Sequence, residues 1–285
     1  MLENIRLSFQ GVWSHRLRSF LTMLGIIIGI AAIIAIVSTI KGTNEQIKKN
    51  LIGSGTNTTT VQLTEEGNYP AEMEYGIPKG IPVLDDDMRQ QLADIDHVKD
   101  ASLYVSRTQV DYIYYNDTSL SGGQLIGADS HYLGTCGYIM KRGRGFTDSD
   151  YEKYRKVAVI DSVAADSLFG DANPVGKTID IKGEPFIVIG VIEESTAFSP
   201  VINSVEDYYT YVYNDGSASG IVVIPDVDWN IVQQYDEPQN AKLLADSTDN
   251  MTSVGKAAQT LLNETVTSKS IKYRAANMNE TAEES

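Results

Sequence analysis

The chain of 285 residues carries 23 Lys/Arg against 38 Asp/Glu, a formal net charge of −15, with 42% hydrophobic residues and one cysteine. That balance excludes nucleic acid as a partner, because a phosphate backbone is held by a basic face. The lone Cys136 excludes an intrachain disulfide, so the fold must rest on a core, and the length is ample for one.

In residues 1–19, Leu2, Ile5, Phe9, Val12, Trp13 and Leu17 recur at three- and four-residue steps, the period of one helix face. This predicts an amphipathic helix on the cytoplasmic side of a membrane, lying in the headgroup plane. Packing on a protein partner at the same depth is the competing reading.

Residues 20–40 read FLTMLGIIIGIAAIIAIVSTI, with no charge and no proline. At roughly 1.5 Å per residue this run covers about 30 Å as a helix, the thickness of a hydrocarbon core. A signal peptide would have a shorter apolar core and a small-residue cleavage site, and Ser38-Thr39-Ile40-Lys41-Gly42 offers none. A buried core helix is rarely apolar on every face. A transmembrane helix is therefore expected. Gly25 and Gly29 form a G-x-x-x-G pair, the candidate face for packing against a second helix.

Lys/Arg near the two ends of the span almost balance. The first fifty residues hold six Lys/Arg and two Asp/Glu, and the remainder hold 17 and 36. A short basic N-terminus inside the cell membrane and a large acidic domain outside is the expected arrangement. Residues 41–55 continue as a helical stalk, with Gly53-Ser54-Gly55 as its stop.

A Thr/Val-rich strand is predicted over 58–63, then a Gly/Pro loop. Asp85, Asp86 and Asp87 open a helix to about 95, since acidic side chains complement a helix N-terminus. Strands follow over 101–115. Gly122, Gly123 and Gly127 read as a turn-rich piece. Thr147, with Asp150 three residues on, reads as a helix start. Further on come a strand at 156–160, a helix at 162–169 ended by Gly170, and a hairpin of 178–181 with 185–192. Strands at 208–213, 220–224, 242–246 and 271–275, and an amphipathic helix at 250–265, complete the pattern.

Two stretches imitate ligand loops. Gly176-Lys177-Thr178 suggests a phosphate loop, but the required earlier glycine is Asp171, and strand-like alternation follows instead of a helix. Asp226, Asp228, Asn230 and Glu237 have the spacing of a calcium loop, but Ile231 occupies the glycine position, which favours a polar strand end. His15, His97 and His131 are scattered. No catalytic residue, cofactor or metal site is expected. Tyr209, Tyr211 and Tyr213, and separately Tyr112 and Tyr114, alternate as if on one strand face.

Three blocks carry a family resemblance: residues 15–36, HRLRSFLTMLGIIIGIAAIIAI; residues 142–150, RGRGFTDSD; and residues 157–194, VAVIDSVAADSLFGDANPVGKTIDIKGEPFIVIGVIEE. Together they resemble the MacB/FtsX-type permeases of ABC transporters. The third block is the most specific, and in it the GKT triplet is a turn into a strand. The resemblance implies an α+β class: one N-terminal transmembrane helix, then an extracytoplasmic domain with a porter-like βαβ part and an inserted β-rich subdomain. On this reading 56–106 and 239–275 form the porter-like part, 107–238 the insert and 276–285 a tail. The family continues into three more membrane helices, and this sequence reaches Ser285 before any second span.

The resemblance further implies a permease subunit, here its N-terminal part, in an export or mechanotransmission system. Its partners would be a cytoplasmic ABC ATPase subunit that hydrolyses ATP, a second permease subunit, a membrane-fusion or adaptor protein, and the lipid bilayer. The alternative is a stand-alone anchored receptor that binds a peptide or glycan through its tyrosine-bearing strands.

Overall fold

The computed structural model describes residues 16–51, 57–65, 69–71, 73, 76–193 and 220–275. Most of the amphipathic stretch at 1–19, the stop at Gly53 to Gly55, the strand expected at 208–213 and the tail at 276–285 lie outside the described residues.

Helix α1 (Arg16–Leu51) is one continuous helix of 36 residues. Residues 16–19 belong to it, and it runs through residue 40 without a break. Its segment Phe20–Ser38 is long and apolar enough to cross a membrane, by length and composition. Only a helix satisfies every backbone group internally in such a setting. The hydroxyl of Thr22, the first polar side chain of the segment, donates to the Arg18 carbonyl at 2.6 Å.

The remaining residues form a second unit built on one twelve-stranded mixed sheet. In chain order its elements begin with β1 (Thr58–Thr64), α2 (Asp86–Ala93), β2 (Val98–Val110), β3 (Ile113–Tyr115), β4 (Thr118–Ser119), β5 (Gly123–Ala128) and α3 (Tyr132–Thr135). Then come β6 (Ile139–Gly143), α4 (Asp148–Glu152), β7 (Val157–Asp161), α5 (Ser162–Phe169), β8 (Thr178–Ile181) and β9 (Glu184–Glu193). The last are β10 (Ile221–Pro225), a 3-10 turn (Asp226–Asp228), α6 (Trp229–Val232), β11 (Asn240–Ala245), α7 (Met251–Asn263) and β12 (Lys272–Ala275). The strand order is β12-β1-β11-β2-β5-β10-β7-β9-β8-β3-β4, with β6 paired to β9.

Strand β2 holds the two ends of this sheet together. Its residues from Val98 to Tyr104 pair with β11, and those from Tyr104 to Val110 pair with β5. On one side of β2, helices α2 and α7 cover a core that includes Val61, Leu92, Leu103, Leu243, Val254 and Tyr273. On the other side strands β5, β10 and β7 are buried on both faces. Leu125, Ile160, Val222 and Ile224 face one core, while their alternate neighbours Ile126, Val159 and Val223 face another. Burial on both faces suits β5 and β10, which run parallel.

The turn-rich expectation for Gly123 to Gly127 is corrected: these residues are strand β5. Gly127 is a glycine because the Trp229 ring lies against it, and a Cβ there would sit 2.6 Å from Trp229 Cε3.

Candidate functional site

The domain's two chain ends meet at one end of the sheet. Strands β1 and β12 are antiparallel neighbours with Val61 opposite Ala275, so the chain arrives at Asn57 and departs after Ala275 at the same end. The start of β2 and the end of β11 lie there too, with Val98 opposite Ala245.

A polar layer straps this end. Ser102 Oγ and the Leu103 amide donate to the Asp129 carboxylate, each at 2.7 Å, and the His131 amide adds a third bond at 3.0 Å. Burial nonetheless pushes the Asp129 carboxyl up against those donors. His131 Nδ1 lies 2.9 Å from Asp100, and the Thr135 hydroxyl donates to the same carboxylate at 3.3 Å. Thr58, the first residue of β1, donates through its hydroxyl to the Thr135 carbonyl at 2.7 Å. Helix α3 is thereby tied both to the strand that follows α1 in the chain and to β2. Nearby, His97 Nδ1 lies 2.9 Å from Asp246, whose hydrogen bond raises the imidazole above its ordinary value.

The R-G-R-G-F stretch forms a second fixed point. At Gly143 (φ +76°) a Cβ would lie 2.2 Å from the Ile189 carbonyl oxygen, and at Gly190 one would lie 2.3 Å from that of Arg144. Two backbones cross here with no room for a side chain. Arg144 then reaches Asp150 with two bonds, of 2.6 and 3.1 Å. The Thr147 amide and hydroxyl each donate to Asp150 at 2.8 Å. The Arg144 guanidinium, helped by Thr147, holds the buried Asp150 carboxyl well below the usual range.

The two loop look-alikes resolve structurally. The Gly176 amide donates to the Val188 carbonyl at 2.8 Å, in a turn that leads into β8. The acids Asp226 and Asp228 sit in the 3-10 turn after β10, a polar strand end. Glu237 is occupied: it accepts from Arg107 Nη2 and, at 3.0 Å, from Trp229 Nε1. Arg107 also lies 5.5 Å from the Trp229 ring centroid. Among the described residues no set of three or more His, Cys, Asp or Glu is grouped to hold a metal ion.

Tyr112 falls just before β3, where Gln233 Nε2 donates to its hydroxyl at 2.6 Å and Lys182 caps its ring. Tyr112 thus falls outside the three-residue strand that carries the exposed Tyr114. Gly25 and Gly29 stand one turn apart on α1, and a Cβ at either would meet nothing within 4 Å.

A family model described as the MacB-like periplasmic core domain matches residues 19–261. The chain belongs to this family. Among curated relatives, the uncharacterized ABC transporter permease YvrN of Bacillus subtilis is 34% identical over 292 residues, covering 100% of this chain and 67% of that protein. The macrolide export ATP-binding/permease protein MacB of Campylobacter fetus is 32% identical over 213 residues, covering 74% of this chain and 32% of its own length. The chain thus spans about a third of the MacB sequence it matches.

Two solved structures share the fold of the MacB-like domain. The periplasmic region of MacB from Actinobacillus actinomycetemcomitans superposes with a TM-score of 0.57 at 20% identity, covering 84% of this chain and 97% of that one. The extracellular domain of the ABC-type transporter YknZ superposes with a TM-score of 0.53 at 21% identity, covering 77% and 100%. This chain therefore combines an apolar helix of membrane-spanning length with the extracytoplasmic domain of an ABC transporter permease.

Proposed function

We propose that the chain is the N-terminal part of a permease subunit in a MacB-like ABC export or mechanotransmission system. A separate cytoplasmic subunit hydrolyses ATP. The N-terminus is cytoplasmic, α1 spans the bilayer, and its extension past residue 40 is the stalk. The acidic outer domain receives the ATPase-driven motion and passes it to a substrate or to an adaptor protein. Gly25 and Gly29 form the face on which a second membrane helix packs, within a homo- or heterodimer of permease subunits.

The observation that carries this reading is the sheet end where the chain both arrives and departs. A domain hung between membrane segments needs its two ends side by side, and any displacement of the arriving segment then acts on β1 first. Strand β1 passes it to β11 and β12 by direct pairing, and to α3 through the bond from Thr58 to Thr135. Such a path is physical only if the receiving element has two arrangements to choose between. We place the division of the domain at β2: residues 56–106 and 239–275 form the porter-like part, and 107–238 the insert.

The test is purification of the native protein from its own membrane, followed by an assay for a bound ATPase. An ATP-hydrolysing subunit that stays with the chain supports the proposal. Repeated isolation without one, with the outer domain intact, overturns it in favour of a stand-alone receptor.

A further inference from the structure

We infer that the cleft beside Trp229 is a peptide-binding site, selective for a cationic residue next to an aromatic or aliphatic one. The cleft has a volume of about 260 Å³ and lies where β2 meets α6 and the loop before α2. Val83, Tyr154 and Tyr235 line it, and all three are strongly exposed, Tyr154 at 66% and Tyr235 at 67%. Trp229, only 4% exposed, closes its floor. Large apolar side chains are costly to leave in water unless they serve a contact, and here three of them surround one depression.

Charge selects the occupant. Asp226, Asp236 and Glu237 line the cleft, and among the described residues no Lys, Arg or His does. Glu237 is matched by Arg107 behind the Trp229 ring. Among the described residues no Lys, Arg or His forms an ion pair with Asp226 or Asp236. Asp228, between the lining residues Val227 and Trp229 in sequence, is fully buried, and among the described residues neither of its carboxylate oxygens has a hydrogen-bond partner. Buried polar groups are almost always hydrogen-bonded, so this turn holds a carboxylate that no donor among the described residues satisfies. A cation over the two tyrosine faces and beside these acids gains both from the rings and from the carboxylates.

Size separates a peptide from a drug-like molecule. Pockets for drug-sized ligands are typically about 300–1,000 Å³. A cleft of about 260 Å³ instead suits a pair of neighbouring side chains. The claim does not depend on the transport role: a receptor and a permease are equally able to carry such a site.

The experiment uses the full chain in lipid nanodiscs, with Trp13→Phe so that Trp229 alone reports. Acetyl-Phe-Lys-Phe-amide is titrated against acetyl-Phe-Glu-Phe-amide and acetyl-Phe-Phe-amide. The lysine peptide is expected to change Trp229 emission saturably and to bind at least about tenfold more tightly than the glutamate peptide. Asp236→Asn, which keeps a residue suited to φ +58°, is expected to weaken it about tenfold, and Tyr235→Ala about threefold. Both positions are exposed, so the fold persists.

Binding of the lysine peptide is also expected to weaken between pH 8 and pH 5, because a protonated Asp226 no longer attracts a cation. The groups that act on Asp226 in this are Asp129 after β5, Asp228 in its own turn and Tyr151 of α4, with Lys156 beside Asp228. Equal affinity for all three peptides, indifference to both substitutions, or no saturable signal at millimolar peptide each overturns the proposal.

Discussion

Asp150 and the pair Asp226 and Asp228 are acids of one type in one domain, yet they are held in opposite ways. Asp150 is buried at the R-G-R-G-F corner and surrounded by donors, with Arg144 and Thr147 bonded and Arg155 at 3.5 Å. Its carboxyl is driven down. Asp226 and Asp228 follow β10 in a tight turn, and burial pushes both carboxyls up to about 6. Lys156 pulls Asp228 back down, though not enough to offset burial. The contrast separates two uses of a buried charge. At the corner the charge is fully answered and fastens two crossing segments. At the turn the Asp228 carboxylate accepts no hydrogen bond among the described residues, and the domain holds it at a cost to its own stability.

The largest expected effect comes from breaking the corner at its backbone. Gly143→Ala places a Cβ against the Ile189 carbonyl and forces a left-handed conformation on an L residue. A loss of about 3–5 kcal/mol is expected, read by chemical denaturation. Asp150→Asn keeps the shape but removes the charge that Arg144 and Thr147 are arranged around. It is expected to cost about 2–3 kcal/mol at pH 7, discounted because Arg144 is 43% exposed. A cost below about 1 kcal/mol would mean that the corner is held by packing and not by its acid.

The turn predicts the reverse sign. Asp228→Asn removes a buried charge without removing a bond, so stability at pH 8 is expected to rise by about 1–2 kcal/mol. The pH profiles differ in the same way. Asp226 and Asp228 have folded values of about 6 against an ordinary 3.8, so the native state binds the extra protons. Their contribution increases as pH falls from about 7 toward 4. Asp150 is lowered, so its contribution is present above the ordinary carboxylate range and is lost as pH falls below about 4. The stability curve is therefore expected to be highest between these windows, and Asp228→Asn should flatten its upper limb while leaving the lower one in place.

How much of this was legible in the sequence depends on how local the cause is. Helix α5 was readable because its signals are adjacent: Asp161 accepts from the Ala164 amide at 2.7 Å, and Gly170 ends the helix at φ +55°. The hairpin of β8 and β9 was readable through Lys182 and Gly183, both left-handed as a two-residue turn requires. Strand β5 was missed because the Trp229 ring that demands Gly127 lies about a hundred residues further along the chain. The same distance hid the Arg107–Glu237 pair, whose members are 130 positions apart. Thr147 and Asp150 could be paired by spacing, but nothing in the spacing showed that Arg144 completes the corner. Asp226 and Asp228 stood out as an imperfect ion loop. That no donor among the described residues reaches the Asp228 carboxylate becomes visible only when β5, β7 and β10 are placed side by side.

The smallest expected effect decides whether Asp228 is unanswered at all. Among the described residues the Lys156 ammonium bonds Glu184, at 2.6 Å, and both side chains are more than a third exposed. Exposed pairs of this kind contribute about 0–1 kcal/mol. If that is its whole role, Lys156→Met costs less than about 1 kcal/mol at pH 7. The same change also removes the cation that draws Asp228 down, so Asp228 takes up its proton at a higher pH than before. The cost of the substitution should then shrink further at pH 5, where Asp228 is already neutral. If Lys156 instead serves Asp228 as a buried counter-charge, its removal strands that carboxylate and costs about 3–5 kcal/mol at pH 7. Denaturation of Lys156→Met at the two pH values distinguishes these cases. The larger cost would make the turn a second fastening, and the contrast with the Asp150 corner would disappear.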